Sequence, residues 1–266
     1  MTNRDSERVA GAQKAAMEMM SKAGFDVGNG IQVSVDPRLP FMGYTHPEGG
    51  GYRIVVSGGA VESIMLKGLL LHEMSHIYRM KTGHPSHSAQ VVEEAVGSLG
   101  ERALHHDYQR KIIYDLTNNI EDLYADDIAV QLMKDDKTLP PDLMSRFLQD
   151  WVKSDLAEGN DATKVRWLNG WTMTNNARAI AQMTRHGVED LGGKAAAENQ
   201  RFLSKVDPAI ANRFGYFLNL LTSLREDITD DEYRRLLTDY LGNFVSMVEN
   251  QPEVRQRTPD EAARKA

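Results

Sequence analysis

The spacing of apolar residues changes period early in the chain. Val9, Ala12, Ala16, Met19 and Met20 recur at helical spacing and predict a helix over about residues 6–23, stopped near Gly24. The pattern then becomes β-like. "IQVSV" (31–35) reads as a strand, and "FMGYT" (41–45) and "YRIVVS" (52–57) flank "HPEGGG" as a hairpin. From Ala60 onward the period is helical almost throughout. One helix is predicted from about residue 60 to Gly83, with Gly59 as its cap and Pro85 beyond its end. Others follow over about 88–104, 108–134, 142–157, 161–186, 194–205, 208–226 and 230–249. Asp207 before Pro208 predicts an N-cap followed by a proline in the first turn. Thr229 with Glu232 predicts a capping box. "TLPPD" (138–142) is a break, and the polar tail from 251 to 266 predicts disorder.

The fold class that follows is α+β and predominantly helical, with a small antiparallel sheet packed on one helix and a helical C-terminal half. The expected division is a core over 1–137, a helical bundle over 138–250 and the tail over 251–266.

Composition narrows the function classes. The chain has 266 residues, a formal net charge of -7 and no cysteine. Disulfides, thiolate metal sites and a cysteine nucleophile are excluded, so any metal must be held by His, Asp or Glu. The acidic balance and the interleaving of basic with acidic residues argue against nucleic acid and anionic membrane as partners. The first ten residues lack the apolar segment of a secretory signal. No apolar run reaches the roughly 20 residues of a membrane span, so a cytoplasmic location is expected.

Against that background "GLLLHEMSHIYRM" (68–80) stands out. His72, Glu73 and His76 form H-E-x-x-H inside an apolar helical run. Residues four apart lie on one helix face, so the two imidazoles can take two corners of a tetrahedral zinc site. Glu73 sits about 100° around the helix, beside the metal's open position. There it can take a proton from zinc-bound water and pass it to a leaving amine. Two histidines and a glutamate among Leu66, Leu69, Leu70, Met74 and Ile77 are costly if left unpaired.

"LLLHEMSHIYR", preceded by "YRIVVS", resembles the active-site helix and edge strand of the zincin metallopeptidases. The resemblance covers about residues 50–83, extends more weakly to about 134, and implies a Zn2+ cofactor and a peptide or protein substrate. It also implies that an extended substrate pairs with the edge strand.

A third ligand decides the clan. The metzincin pattern fails, because Arg79 and Thr82 stand where its glycine and third histidine belong. His84 and His87 follow the helix stop and read as loop histidines. "LTNNIEDLYADDIAV" (116–130) resembles the downstream gluzincin helix, in which a glutamate ligand precedes, by four residues, an aspartate that orients a histidine. Here Ala125 follows Glu121 at that spacing, whereas Asp126 follows Asp122. Either Glu121 is the ligand with altered spacing, or Asp122 replaces it. Ile113, Leu116, Ile120, Leu123 and Tyr124 define an apolar face with Glu121 at its edge and Asp122 nearly opposite, which favours Glu121. Asp127 falls within that face and is a candidate to receive a ring N–H from His72 or His76. Tyr124, Tyr108, His105, His106 and His46 are weaker candidates for stabilising an oxyanion.

Trp151, Trp167 and Trp171 read as core of a helical bundle. "SGGAV" (57–61) lacks the lysine of a phosphate loop. The expectation is therefore a gluzincin-like zinc metallopeptidase in which His72, His76 and Glu121 hold zinc and Glu73 is the general base. The competing expectation is a non-catalytic binding or regulatory protein with a structural metal site.

Overall fold

The computed structural model describes residues 3–136 and 140–249. The expected tail from 251 to 266, and part of the break at 138–142, lie outside the described residues.

The first helix, α1 (Asn3–Lys22), buries Val9, Ala16 and Met20 and packs along the H-E-x-x-H helix. Three strands follow: β1 (Ile31–Asp36), β2 (Gly43–Glu48) and β3 (Gly51–Ser57). β2 and β3 form the expected antiparallel hairpin. Its turn residues Gly49 and Gly50 both have positive φ (56° and 82°), as a two-residue turn matched to strand twist requires. β1 runs parallel to β3, so the sheet is mixed, in the order β1-β3-β2. "YRIVVS" is therefore the central strand, which explains its run of buried residues. The edge strand that packs over the H-E-x-x-H helix is β2.

The helix predicted from residue 60 is two helices, α2 (Gly58–Glu62) and α3 (Leu66–Thr82). Ser57, not Gly59, caps α2, accepting the Ala60 amide at 3.1 Å. Ser63 then turns to extended backbone, and its hydroxyl accepts the Met65 amide at 3.0 Å. This local hydrogen bonding competes with the helix and breaks it. α3 ends on Gly83, whose left-handed φ of 67° lets its amide reach the last carbonyls.

The remaining helices are α4 (Ala89–Gly97), α5 (Asp107–Asp135), α6 (Pro141–Gln149), α7 (Ala162–Arg185), α8 (Lys194–Leu203), α9 (Pro208–Ala211), α10 (Phe214–Thr222) and α11 (Asp230–Val248). The Asp207 cap and the Thr229–Glu232 capping box are both present. α6 is shorter than its pattern predicts, because the following segment is held extended by side chains of α7. Asn176 binds both the amide and the carbonyl of Lys153, each at 2.8 Å. Asn169 accepts the Ala157 amide at 2.8 Å.

Two apolar cores result. One lies among α1, the sheet, α2, α3, α6 and the second half of α5. The other lies among α4, the first half of α5, α7, α10 and α11. α5 belongs to both, and the functional cluster sits where it crosses α3 and α7. Among the described residues no helix is long and apolar enough to cross a membrane.

Candidate metal centre

α3 buries Leu70, Leu71, Met74 and Ile77 on the core side, which fixes its rotation. That rotation presents His72 and His76 together toward α5, their rings edge to face at 4.6 Å. Their Nε2 atoms lie 3.1 Å apart. Asp122 Oδ1 lies 3.4 Å from His76 Nε2 and 3.8 Å from His72 Nε2. These three ligand atoms fall within 4.8 Å of one another and form the potential metal-holding group among the described residues.

The donor set fits zinc. Two bare ring nitrogens facing each other at 3.1 Å repel unless a cation or a proton lies between them. In a tetrahedral zinc site with bonds of about 2.0 Å, ligand atoms are spaced by about 3.3 Å, and the three separations bracket that value.

Each ligand is oriented from behind. His72 Nδ1 donates to Asp126 Oδ1 at 2.7 Å, which leaves its Nε2 lone pair facing the cluster. Gln182 donates to the other Asp126 oxygen. His76 Nδ1 meets His87 Nε2 at 2.7 Å. Asp122 turns its second oxygen to Arg178 Nη2 at 3.1 Å, and that guanidinium stacks on Trp151 at 4.6 Å.

The electrostatics follow from these contacts. Burial disfavours a charge on His72, but Asp126, Asp122 and Glu73 together push its pKa up to about 10. Burial also works against charge on Asp122, yet Arg178 and the two histidines hold its carboxyl well below the ordinary range. Burial, with His76 beside it, holds His87 low, and burial with Arg79 lowers His84.

Glu73 is 4 % exposed, and burial raises its pKa. None of the described residues gives its carboxylate a hydrogen bond. It lines a cavity of about 310 Å³, together with His72, Asp122 and Asp126. The other walls are largely apolar: Phe41, Met42, Leu69, Met133, Phe147 and Trp151 among them.

The remaining sequence candidates fall elsewhere. Glu121, the favoured ligand, is not in the group with the two imidazoles. It lies near Tyr233, and burial followed by repulsion from Asp122 raises its pKa to about 7. Asp127 does not meet His72 or His76. It accepts from Arg185 and from His186 Nε2 at 2.9 Å, and Asp126 takes the orienting role instead. His84 and His87 are outside the ligand group, although His87 backs His76. The Tyr124 hydroxyl donates to the Arg225 carbonyl at 3.2 Å, Tyr108 packs on Trp167, and His46 stacks on Tyr44. His105 and His106 meet edge to face at the start of α5.

Arg178 and Gln182 were not anticipated, yet a signal for them exists. Four of the hydrogen bonds between α5 and α7 share one offset: Trp171 to Asp115, Asn119 to Asn175, Arg178 to Asp122 and Gln182 to Asp126. Each joins residues 56 apart. A constant offset means that the two helices run in the same direction with matched polar stripes. The stripe 171, 175, 178, 182 in an otherwise buried helix repeats the spacing of 115, 119, 122, 126.

The chain belongs to the family described as "Family of unknown function (DUF5781)", whose model matches residues 15–246. No curated protein and no solved structure matches it.

Proposed function

We propose that this member of a family of unknown function is a zinc-dependent peptide hydrolase. In this reading His72, His76 and Asp122 hold the metal and Glu73 is the general base. The observation that carries it is Glu73: a buried carboxylate without a hydrogen-bond partner among the described residues, on a cavity wall beside three convergent ligand atoms. A site serving only structure has no use for a carboxylate placed there.

Zinc held there supplies a Lewis acid that makes water nucleophilic near neutral pH and polarises the scissile carbonyl. The protein's own residues do the rest. Burial makes Glu73 a stronger base than an ordinary glutamate, suited to taking a proton from the attacking water and delivering it to the leaving amine. Asp126 and Gln182 fix the ring plane of His72. The apolar cavity receives a side chain flanking the scissile bond and excludes bulk water from it. β2, whose residue Gly43 lines the same cavity, is the strand edge along which an extended peptide backbone can pair.

The experiment is metal analysis of the purified protein, with cleavage of a mixed peptide and denatured-protein substrate followed by mass spectrometry. One zinc per chain and cleavage that disappears in Glu73→Gln are expected. Stoichiometric zinc with no Glu73-dependent product would leave a structural metal protein instead. Absence of zinc binding would remove both readings.

A further inference from the structure

A chain of hydrogen bonds leaves the metal centre on the side away from the cavity. His76 Nδ1 meets His87 Nε2 at 2.7 Å, and His87 Nδ1 meets Ser86 Oγ at 2.8 Å. Ser86 Oγ meets His84 Nδ1 at 2.7 Å, and His84 Nε2 meets the Glu226 carbonyl oxygen at 3.2 Å.

The direction of every bond follows from its far end. A backbone carbonyl only accepts, so His84 Nε2 carries a proton. His84 Nδ1 accepts the Ser86 backbone amide at 3.3 Å, so it is a lone pair, and the Ser86 hydroxyl must also donate to it. With its one proton spent, Ser86 Oγ accepts from His87 Nδ1. His87 Nε2 is then the lone pair of a neutral ring, and His76 Nδ1 must donate to it. His76 Nε2 is left bare, facing His72 and Asp122.

We infer that His87, Ser86 and His84 are positioning residues that lock His76 in its metal-binding tautomer, with the direction of the chain set by the Glu226 carbonyl. The anchor is itself fixed. The Glu226 carboxylate receives the buried Arg79 of α3, which also donates to the Tyr124 carbonyl at 3.0 Å. The α10–α11 connection thereby reaches the metal helix across the 147 residues that separate Arg79 from Glu226.

The inference rests on the zinc reading, and the test separates the two. Long-range proton–nitrogen NMR of the histidine-labelled full chain, with and without zinc, reports each ring's tautomer. His84 protonated at Nε2 and His87 at Nδ1 are expected in both forms, with His76 protonated at Nδ1 when zinc is bound. Zinc titration of two variants gives an independent readout. His87→Gln keeps an acceptor for His76 and should stay within about threefold of wild type, whereas His87→Leu should lose about 10–100-fold in affinity. His87 protonated at Nε2, or equal affinities of the Leu variant and wild type, overturns the inference and leaves the zinc site standing. Failure of the wild type to bind zinc overturns both.

Discussion

Arg178 donates to Oδ2 of Asp122 at 3.1 Å while Oδ1 of the same carboxylate faces the two imidazoles. The guanidinium thus orients the carboxylate so that one oxygen is presented to the two imidazoles. Its stacking on Trp151 fixes it in turn. Arg178→Met keeps much of the side-chain length but removes the N–H donors. Zinc affinity, measured by competition with a chromophoric chelator, is expected to fall by about 10–100-fold, with Arg178→Lys intermediate. An unchanged affinity in Arg178→Met rules out this orienting role.

The assignment of the third ligand predicts a contrast between adjacent carboxylates. Asp122→Asn should abolish stoichiometric zinc binding at micromolar metal. Glu121→Gln should retain it, because Glu121 lies near Tyr233 and outside the group formed by the histidines and Asp122. Metal analysis after gel filtration distinguishes them. Retention of zinc by Asp122→Asn together with its loss from Glu121→Gln reverses the assignment.

That contrast also marks how far the sequence can be read. The H-E-x-x-H helix was legible because two periodicities agree there: apolar spacing sets the buried face and the i,i+4 histidines share one side. The hairpin and the caps at Asp207 and Thr229 were legible because their chemistry is local. α5 gave two conflicting signals for a physical reason. It is buried on most sides, and its strongest apolar face packs on the bundle core, not on α3. Apolar phase therefore pointed to Glu121, whereas the four-residue spacing of Asp122 and Asp126 matches the two carboxylates that face His72 and His76. The parallel pairing of β1 and the contributions of Arg178, Gln182 and Glu226 depend on contacts between distant segments. No window of sequence contains such contacts.

Asp127 carries a pH prediction. Burial opposes its charge, but His186 and Arg185 hold its carboxyl below the ordinary aspartate range. The unfolded chain therefore takes up this proton at higher pH than the folded one. The stabilisation is fully present above the unfolded value, about 3.9, and is lost as pH falls through the lower folded value. Urea unfolding of wild type and Asp127→Asn should differ most near neutral pH, with the variant less stable, and should converge in acid. A difference that grows as pH falls contradicts the assignment.

Asn176 links the fold of the extended segment to the cavity. It is fully buried, and its amide satisfies both the N–H and the C=O of Lys153, two residues after Trp151. Trp151 is both a cavity wall and the platform for Arg178. Asn176→Leu removes the donor and acceptor together and leaves two backbone groups without partners, at a cost of about 1–3 kcal/mol. If the tether holds Trp151 in place, the variant should also show weaker peptide binding, read as a raised KM with a smaller change in kcat. Zinc stoichiometry should be kept, because Arg178 retains its bond to Asp122, although the loss of its Trp151 platform should weaken zinc affinity by less than Arg178→Met does. Loss of stability with an unchanged KM limits Asn176 to a folding role.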